Sequence, residues 1–240
     1  MDLIHALTQL QLTRQEAVIY LLLSTEGELT GYEVAKLSGI SRSNTYTALA
    51  NLVEKGAANV IEDSATRYTP VPIDEFCENK IRELQEIKTF LENNMPVRKE
   101  EAEPYITIKG QKHIINKVKN IINGAKERIY ISVSGWILDA VLPDLSAAAQ
   151  RGLKVVLITN PPFIQDNMIV YHSQKDLNQI RLISDTINVL TGEITDSINS
   201  TCLFSQKKNL VDLFKESMKN EIKLIEITKK KVKGCRRVCL

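Results

Sequence analysis

The sequence predicts an α+β chain of two domains, an N-terminal winged helix-turn-helix and a C-terminal α/β domain, joined by one linker helix. The first observation is that residues 30–69 spell a short helix, a glycine turn, a longer helix and a β-hairpin in that order. The second is that apolar strand segments alternate with amphipathic helices from Tyr105 onwards. The expected boundaries are 1–72 for the winged helix, 73–103 for the linker, 104–228 for the α/β domain and 229–240 for a basic tail.

The helix-turn-helix is expected to follow an amphipathic helix over residues 13–25 and to begin at Thr30. Thr30 and Glu33 have the spacing of a capping box, which marks a helix start. Gly39 ends this helix, because glycine adopts the left-handed conformation that a tight turn needs. Ser41 is the expected cap of the second helix, which therefore starts directly after the turn.

The N-terminal end of the second helix is the predicted DNA-binding surface, since this part of such a helix enters a major groove. Either Thr45 or Tyr46 is assigned to the core by helical spacing, and the opening residues then face outwards. After Gly56, strands over 57–61 and 66–69 form the wing. The predicted DNA contacts are Lys36, Ser41, Arg42, Ser43, Asn44 and Thr47 on the helices, and Arg67 and Tyr68 on the wing. A helical bundle unrelated to DNA is the alternative.

Charge is distributed unevenly along the chain. Residues 1–72 hold five basic and eight acidic side chains and so carry a net charge of −3. Phosphate contacts depend on local charge, but so few cations indicate that two subunits are needed on one operator. By contrast, the last twelve residues carry six positive charges, a composition typical of a solvated tail, with nonspecific phosphate contact as the alternative.

The linker helix is expected over Ile73 to Met95, with apolar residues at spacings of three and four. This seam of about three heptads either pairs with its copy in a dimer or packs back on the chain's own domains. Both alternatives remain open at this point.

The α/β domain is expected to contain strands over 105–109, 128–133 and 154–159, which are separated by helices over 111–124 and 138–150. Further strands are predicted over 180–184, 187–190 and 201–205. A last helix starts at Lys208, and residues 222–227 fit either helix or strand.

Several motifs resemble the TrmB-type transcriptional regulators. The N-terminal segments 12–20, 40–46 and 49–56 are similar to the winged helix of that family. Segments 125–132, 151–156 and 183–185 resemble the phospholipase D-like domain that follows it. The resemblance implies a dimeric regulator that binds double-stranded operator DNA and in some members senses a small molecule. The sequence ends at this domain, so the sugar ligand of longer archaeal members is not carried over.

Catalysis is not expected in the second domain. An active phospholipase D-type site needs a histidine nucleophile with a lysine two residues later, and none of the three histidines has that spacing. His172 and Lys175, the nearest approach, are three residues apart. The four cysteines lack the spacing of a zinc site, so no metal or cofactor is expected. The longest apolar run is too short for a membrane span, and we expect a cytoplasmic protein.

A small-molecule effector would bind where strands end in this domain. The candidate effector-binding residues are Ser132, Ser134, Trp136, Asn160 and Asp185. The alternative is that Trp136 belongs to the core and the serines are turn and cap residues.

The function expected from these observations is that of a dimeric, DNA-binding transcriptional regulator controlled through its non-catalytic C-terminal domain. Two alternatives from other classes are a degenerate phosphodiesterase and a winged-helix scaffold that binds a partner protein, which the acidic N-terminal balance keeps open.

Overall fold

The computed structural model describes residues 2–63, 65–96, 104–195 and 199–235, with side chains as far as Thr228. The charged stretch 97–103 and the end of the basic tail lie outside these residues. The chain forms two compact units, Met1–Arg98 and Lys99–Leu240, and each is described by itself.

The first unit consists of helices and one small antiparallel sheet. Its helices are α1 (Leu3–Gln9), α2 (Arg14–Glu26), α3 (Gly31–Ser38), α4 (Arg42–Glu54) and α5 (Ile73–Asn94). Its strands are β1 (Leu29–Thr30), β2 (Ala58–Ile61) and β3 (Arg67–Pro70), in the order β1-β3-β2. This arrangement confirms the predicted winged helix-turn-helix.

Local capping signals set the helix boundaries of this unit. Thr13 caps α2 with Glu16, and Thr30 caps α3 with Glu33, each as a complete capping box. Gly39 has the left-handed conformation, with φ of 70°, and ends α3. The turn between α3 and α4 therefore has the chemistry that the sequence predicted.

The core of the first unit joins α2, α4 and the beginning of α5. Fully buried Leu23, Leu49 and Phe76 are among its largest side chains. The buried Tyr20 hydroxyl donates a hydrogen bond to the Val71 carbonyl over 2.7 Å, which holds the segment before α5 against α2. α5 thus starts inside the core that supports the helix-turn-helix.

The second unit is a seven-stranded mixed sheet with helices on both faces. Its helices are α6 (Gln111–Gly124), α7 (Gly135–Gln150) and α8 (Lys208–Cys235). Its strands are β4 (Ile106–Lys109), β5 (Arg128–Ser132), β6 (Lys154–Thr159), β7 (Ile169–His172), β8 (Gln179–Ser184), β9 (Asn188–Glu193) and β10 (Thr201–Ser205). The order is β4-β10-β9-β8-β5-β6-β7, and β5, β6 and β7 are parallel. The predicted α/β class with some parallel neighbours is confirmed.

Alternating side chains of the sheet divide the second unit into two layers. Ile129 and Ile131 of β5 pack with α6 and α7 in the larger core. Tyr130, which lies between them in the sequence, faces the other side of the sheet. There it packs in a second cluster that contains Ile158 of β6 and Met218 of α8. Among the described helices, α8 thus covers one face of the sheet, and α6 and α7 cover the other.

The structure differs from the sequence prediction at several elements. α1, β1 and β7 were not predicted, and α7 starts at Gly135, three residues before the expected start. Residues 222–227, which fitted helix or strand, belong to α8. Of the two residues that helical spacing allowed in the core of α4, Thr45 is buried and Tyr46 is exposed. The buried Thr45 hydroxyl donates a hydrogen bond to the Ser41 carbonyl.

Candidate nucleic-acid interface and effector cleft

The N-terminal half of α4 forms an open surface. Ser41 caps the helix, and its hydroxyl accepts a weak 3.5 Å hydrogen bond from the Asn44 amide. The Thr47 hydroxyl donates a hydrogen bond to the Ser43 carbonyl of the same helix over 3.0 Å. All the residues predicted here are exposed: Ser41, Arg42, Ser43, Asn44 and Thr47.

Arg42 is held by an aromatic ring from the neighbouring helix. Its guanidinium carbon lies 4.8 Å from the ring centroid of Tyr32, in a cation–π contact. This contact restricts the arginine at the open end of α4 without neutralising it. Its guanidinium donors stay available for a base edge or a phosphate.

Two tyrosines of this surface were not among the predicted contacts. Tyr46 lies over Gly31, and a Cβ atom at position 31 would be only 2.5 Å from Tyr46 Cε1. Tyr32 and Tyr46 are both about half exposed, at 53% and 50%. The signal that could have identified Tyr46 is its position four residues after Arg42, which places the two side chains on one helix face.

In the described part of the wing, Arg67 is a cation that forms no salt bridge. Arg67 is exposed at the start of β3, opposite Thr30 of β1. Hydrogen bonds from the Thr30 backbone and hydroxyl lower the pKa of Glu33, and the charge of Arg67 adds a smaller effect in the same direction. Tyr68, the second predicted wing contact, is half-buried and packs partly against the core.

The basic side chains of the first unit fall into two groups. In the described part of the chain, Lys36, Arg42 and Arg67 form no salt bridge. Lys55, by contrast, lies at the other end of α4, with Nζ 2.6 Å from a carboxylate oxygen of Glu16. Three exposed cations that form no salt bridge among the described residues therefore lie on α3, at the start of α4 and on the wing, and Arg14 at the start of α2 is a fourth.

Glu16 fixes the C-terminal end of α4 to α2. Its buried carboxylate accepts from the Thr13 amide at 2.8 Å, from Asn51 Nδ2 at 3.0 Å and from Lys55 Nζ. Burial by itself raises the pKa of Glu16, but these hydrogen bonds outweigh it and leave the pKa below its ordinary value. The network anchors α4 at the end away from Arg42.

Three of the predicted effector residues lie at one edge of the larger sheet, where β5 and β6 end, and two of them bind the segment that precedes β8. The buried Ser134 hydroxyl makes a long 3.4 Å hydrogen bond to the Asp176 carbonyl. Asn160 Oδ1 accepts from the Lys175 amide at 2.5 Å, and its Nδ2 donates to the Lys175 carbonyl at 3.2 Å. Ser132, the third, is buried 3.3 Å from Arg181 Nη2.

Trp136 and Asp185 do not join that edge as polar ligands. Trp136 is half-buried in the first turn of α7 and packs against the larger core. Asp185 follows β8, which is antiparallel to β5, so it lies at the opposite edge of the sheet. There its carboxylate accepts from the amides of residues 126, 127 and 128 at 2.8 to 2.9 Å. The expectation that Asp185 lines the same cleft is wrong.

Two of the histidines belong to the second unit, and the structure describes the surroundings of both. His172 Nε2 lies 2.8 Å from the Phe163 carbonyl oxygen, and His113 is exposed near Gly110. Among the described residues, no group of three histidine, cysteine or acidic side chains could hold a metal ion. No helix in the described part of the chain is long and apolar enough to cross a membrane.

Two family models match this chain in succession. The sugar-specific transcriptional regulator TrmB matches residues 7–74, and the N-terminal subdomain of the TrmB effector-binding domain matches residues 105–216. The matches therefore fall on the winged helix-turn-helix and on the mixed sheet, respectively.

Individual proteins show the same similarity. The uncharacterized protein YrhO of Bacillus subtilis is 28% identical over 95% of this chain and 87% of its own length. TrmBL2 of Thermococcus kodakarensis, a DNA-binding transcriptional repressor, is 26% identical over 72% of this chain and 73% of its own length. TrmBL1 of Pyrococcus furiosus, a sugar-sensing regulator, is 28% identical, and the match spans 55% of this chain and only 40% of that protein.

Solved structures that match this chain include TrmBL2, an archaeal chromatin protein, with a TM-score of 0.45 and 21% sequence identity. The match covers 91% of this chain and 96% of the TrmBL2 chain. A phospholipase D family member from Salmonella typhimurium has a TM-score of 0.40 at 14% identity, and the match covers 50% of this chain and 93% of the other.

Proposed function

The chain belongs to the TrmB family and is a DNA-binding transcriptional regulator, and we propose that it acts as a dimer whose two α4 helices read one pseudo-palindromic operator. The observation that carries this proposal is the open N-terminal end of α4, where Arg42 is oriented by Tyr32 and has no acidic partner among the described residues. Arg42 would be the principal base reader, because a guanidinium donates two parallel hydrogen bonds to guanine.

The remaining residues of the surface divide into phosphate and base contacts. Lys36 and Arg67 flank the opening of α4 and suit the phosphate backbone on either side. Ser41, Ser43, Asn44 and Thr47 carry short polar side chains that reach either group. Tyr68 adds a wing contact with the part of its ring that is exposed. We add Tyr46 to this set, since it lies beside Arg42 on the exposed helix face.

The dimer contact that we propose is the apolar stripe of α5. Its residues are between 46% and 62% exposed: Ile73, Ile81, Leu84, Ile87, Leu91 and Met95. A 22-residue helix is about 33 Å long, enough for the three heptads that the seam contains.

An apolar groove continues this stripe at the start of α5. It has a volume of about 350 Å³, and its lining includes Leu3, Leu7, Tyr20 and Ile73. Because the groove and the stripe meet at Ile73, a single second copy of α5 could cover both. Exposed apolar surface of this extent is typical of an interaction site. We therefore favour pairing with a second copy over packing back on the chain.

Retention of genomic DNA fragments, followed by sequencing, tests the proposed function. The full chain is expected to enrich a small set of fragments that share a pseudo-palindromic sequence. A chain that retains no fragment above background would contradict DNA recognition and favour the scaffold function, in which the winged helix binds a protein.

Light scattering tests the dimer. Leu84→Glu places a charge in the middle of the seam and is expected to shift the protein from dimer to monomer, with a matching loss of operator affinity. Asn93→Glu adds the same charge to an exposed position of α5 outside the seam and is the matched control. Equal dimer fractions in the two variants would contradict the role of the stripe.

We also propose that the second unit does not catalyse phosphoester hydrolysis. The support is the lack of a histidine with a lysine two residues later, together with the contact of His172 Nε2 with a backbone carbonyl. Assays of generic phosphodiesters with and without divalent metal are expected to show no turnover. Activity that copurifies with the chain and persists through successive columns would favour the degenerate phosphodiesterase.

A further inference from the structure

A single carboxylate from α8 lies between two cations at the edge of the larger sheet. Arg181 Nη2 is 2.7 Å from Glu221 Oε2, and Lys175 Nζ contacts the other oxygen of the same carboxylate. The Ser132 hydroxyl is 3.3 Å from the same Arg181 nitrogen. Lys175, Arg181 and Glu221 have side chains only 14%, 26% and 19% exposed, so the cluster is largely withdrawn from water.

The cations of this cluster come from the sheet side, whereas the carboxylate comes from the helix. Ser132 ends β5 and is the register partner of Arg181 on β8. Lys175 is held in place by the two hydrogen bonds between its backbone and Asn160. The backbone segments that carry the two cations are thus fixed by the sheet and its loops, and Arg181 also donates a hydrogen bond to the Ser132 hydroxyl.

An open cavity lies beside the segment that leads into Lys175. It has a volume of about 400 Å³ and is lined by Asn160, Pro161, His172, Ser173 and Gln174. Asn160 and the residues immediately before Lys175 therefore belong to the wall of the cavity. Lys175 follows the last of these lining residues directly in the chain.

Charge in the cluster is not balanced. Two cations share one carboxylate, which leaves one excess positive charge in a poorly solvated place. Burial and the neighbouring Arg181 lower the pKa of Lys175 to about 8. A second anion, or a more highly charged one, would be favoured here over the single carboxylate.

We propose that Lys175, Arg181 and Ser132 form a binding site for the phosphate or carboxylate group of a small molecule, and that Glu221 occupies this site in the free chain. The bidentate geometry that an arginine offers to a carboxylate suits a phosphate equally. Glu221 is therefore an internal competitor that the ligand must displace. The specificity of the site for the rest of the ligand would come from the adjoining cavity.

Displacement of Glu221 would loosen the second half of α8. Among the side chains described as far as Thr228, Glu226 of that half accepts a hydrogen bond from the Tyr171 hydroxyl over 3.0 Å. Residues after 216 also lie beyond the match to the effector-binding subdomain. This consequence rests on the proposed function, because it offers the regulator a route from ligand binding to a structural change.

Calorimetric titration of the full chain with inorganic phosphate tests the site, in NaCl of matched ionic strength. Glu221→Gln removes the competing charge and is expected to bind phosphate about tenfold more tightly than the unmodified chain. Glu216→Gln is the matched control, because Glu216 is an exposed acid on the same helix that pairs only with Lys219 among the described residues. It should leave phosphate affinity unchanged.

The double variant Glu221→Gln with Arg181→Gln shows whether the gain comes from this cluster. It is expected to lose the tighter binding, and a circular dichroism spectrum like that of Glu221→Gln confirms that it is folded. Phosphate affinity that is equal in the unmodified chain and in Glu221→Gln, or that persists in the double variant, would overturn the proposal. Acetate in place of phosphate then separates the two ligand classes.

Operator binding is measured separately, without added anion, so that a failure of the anion site can be distinguished from a failure of the proposed DNA-binding function. A chain that binds its operator but shows no phosphate site would remain a regulator without the effector site described here. A chain that binds phosphate through Arg181 but retains no DNA would keep the site and lose the proposed function.

Discussion

Replacement of Arg42 with alanine is the sharpest test of how this chain recognises DNA. In the structure Arg42 contacts the Tyr32 ring and no acidic group among the described residues, so its removal disturbs little of the fold. An exposed cation–π contact contributes about 0.5–1 kcal/mol, and the free energy of unfolding should fall by no more than that. Any larger effect on DNA binding must then come from the lost DNA contact.

The expected loss of affinity is large by comparison. A specific arginine contact to a base contributes about 1–3 kcal/mol per site, and a dimer loses two of them. Even the lower bound amounts to about 2 kcal/mol, or roughly a thirtyfold weaker affinity for the operator. Fluorescence anisotropy with an operator fragment measures this directly, at several salt concentrations.

Two further variants show what kind of contact is lost. Arg42→Lys keeps the charge but not the bidentate geometry, so it should retain nonspecific binding and lose discrimination between operator and mutated operator. If Arg42 instead contacts a phosphate, Arg42→Ala reduces the slope of log affinity against log salt by about 0.9 per subunit, and Arg42→Lys leaves it unchanged.

Arg14→Ala is the matched control for charge. Arg14 is exposed at the start of α2, and the hydrogen bonds that Lys55 and Asn51 donate to Glu16 place that end of α2 beside the C-terminal end of α4. Arg42 is about 18 Å away along a helix with a rise of 1.5 Å per residue. Equal operator affinity for Arg42→Ala, Arg14→Ala and the unmodified chain would refute the assignment of Arg42.

Other predictions concern stability. Glu16→Gln should lower the free energy of unfolding by about 2–3 kcal/mol at pH 7, because Lys55 loses its buried partner. The pKa of Glu16 is lower in the folded state than its unfolded value of 4.5. The stability difference between the two proteins should therefore persist above pH 4.5 and vanish as the pH falls through the folded-state pKa of Glu16. Urea unfolding at successive pH values measures it. Gly192→Ala should cost about 3 kcal/mol, since the new Cβ would lie 2.3 Å from the Thr201 carbonyl oxygen. Gly124→Ala is the control, because its new Cβ atom would meet no atom within 4 Å. An equal loss of unfolding free energy in Gly124→Ala would show that the clash with β10 does not cause the loss in Gly192→Ala.

Local signals explain which parts of the fold could be predicted from the sequence. The capping boxes at Thr13 and Thr30 involve residues three apart, so they appear in the sequence as directly as in the structure. β7, by contrast, is four residues long and lies at an edge, where it follows the loop after Pro162. Its short apolar pattern carries little information by itself, and its parallel pairing with β6 is what makes it a strand.

The candidate sites show the same limit. Exposure of the start of α4 follows from helical spacing, which is why the predicted DNA contacts are on the surface. Asp185 was misplaced because the position of a residue after a strand depends on the strand's direction, and β8 is antiparallel to β5. The contact of Glu221 with Lys175 and Arg181 joins positions at least 40 residues apart, and no local pattern indicates it.

The placement of α5 explains how so few cations could suffice for operator recognition. Phe76 of α5 is fully buried in the core that also holds Leu49 and Leu52 of α4, so α4 and the start of α5 share one core. If α5 pairs with its copy, the separation of the two α4 helices is fixed before DNA binds, and the second helix binds at little further entropic cost. An operator with about five base pairs inserted between its half-sites turns one of them to the opposite face of the duplex. Such an operator should therefore bind no better than a single half-site, and unchanged affinity would show that the α4 helices are not held at a fixed separation.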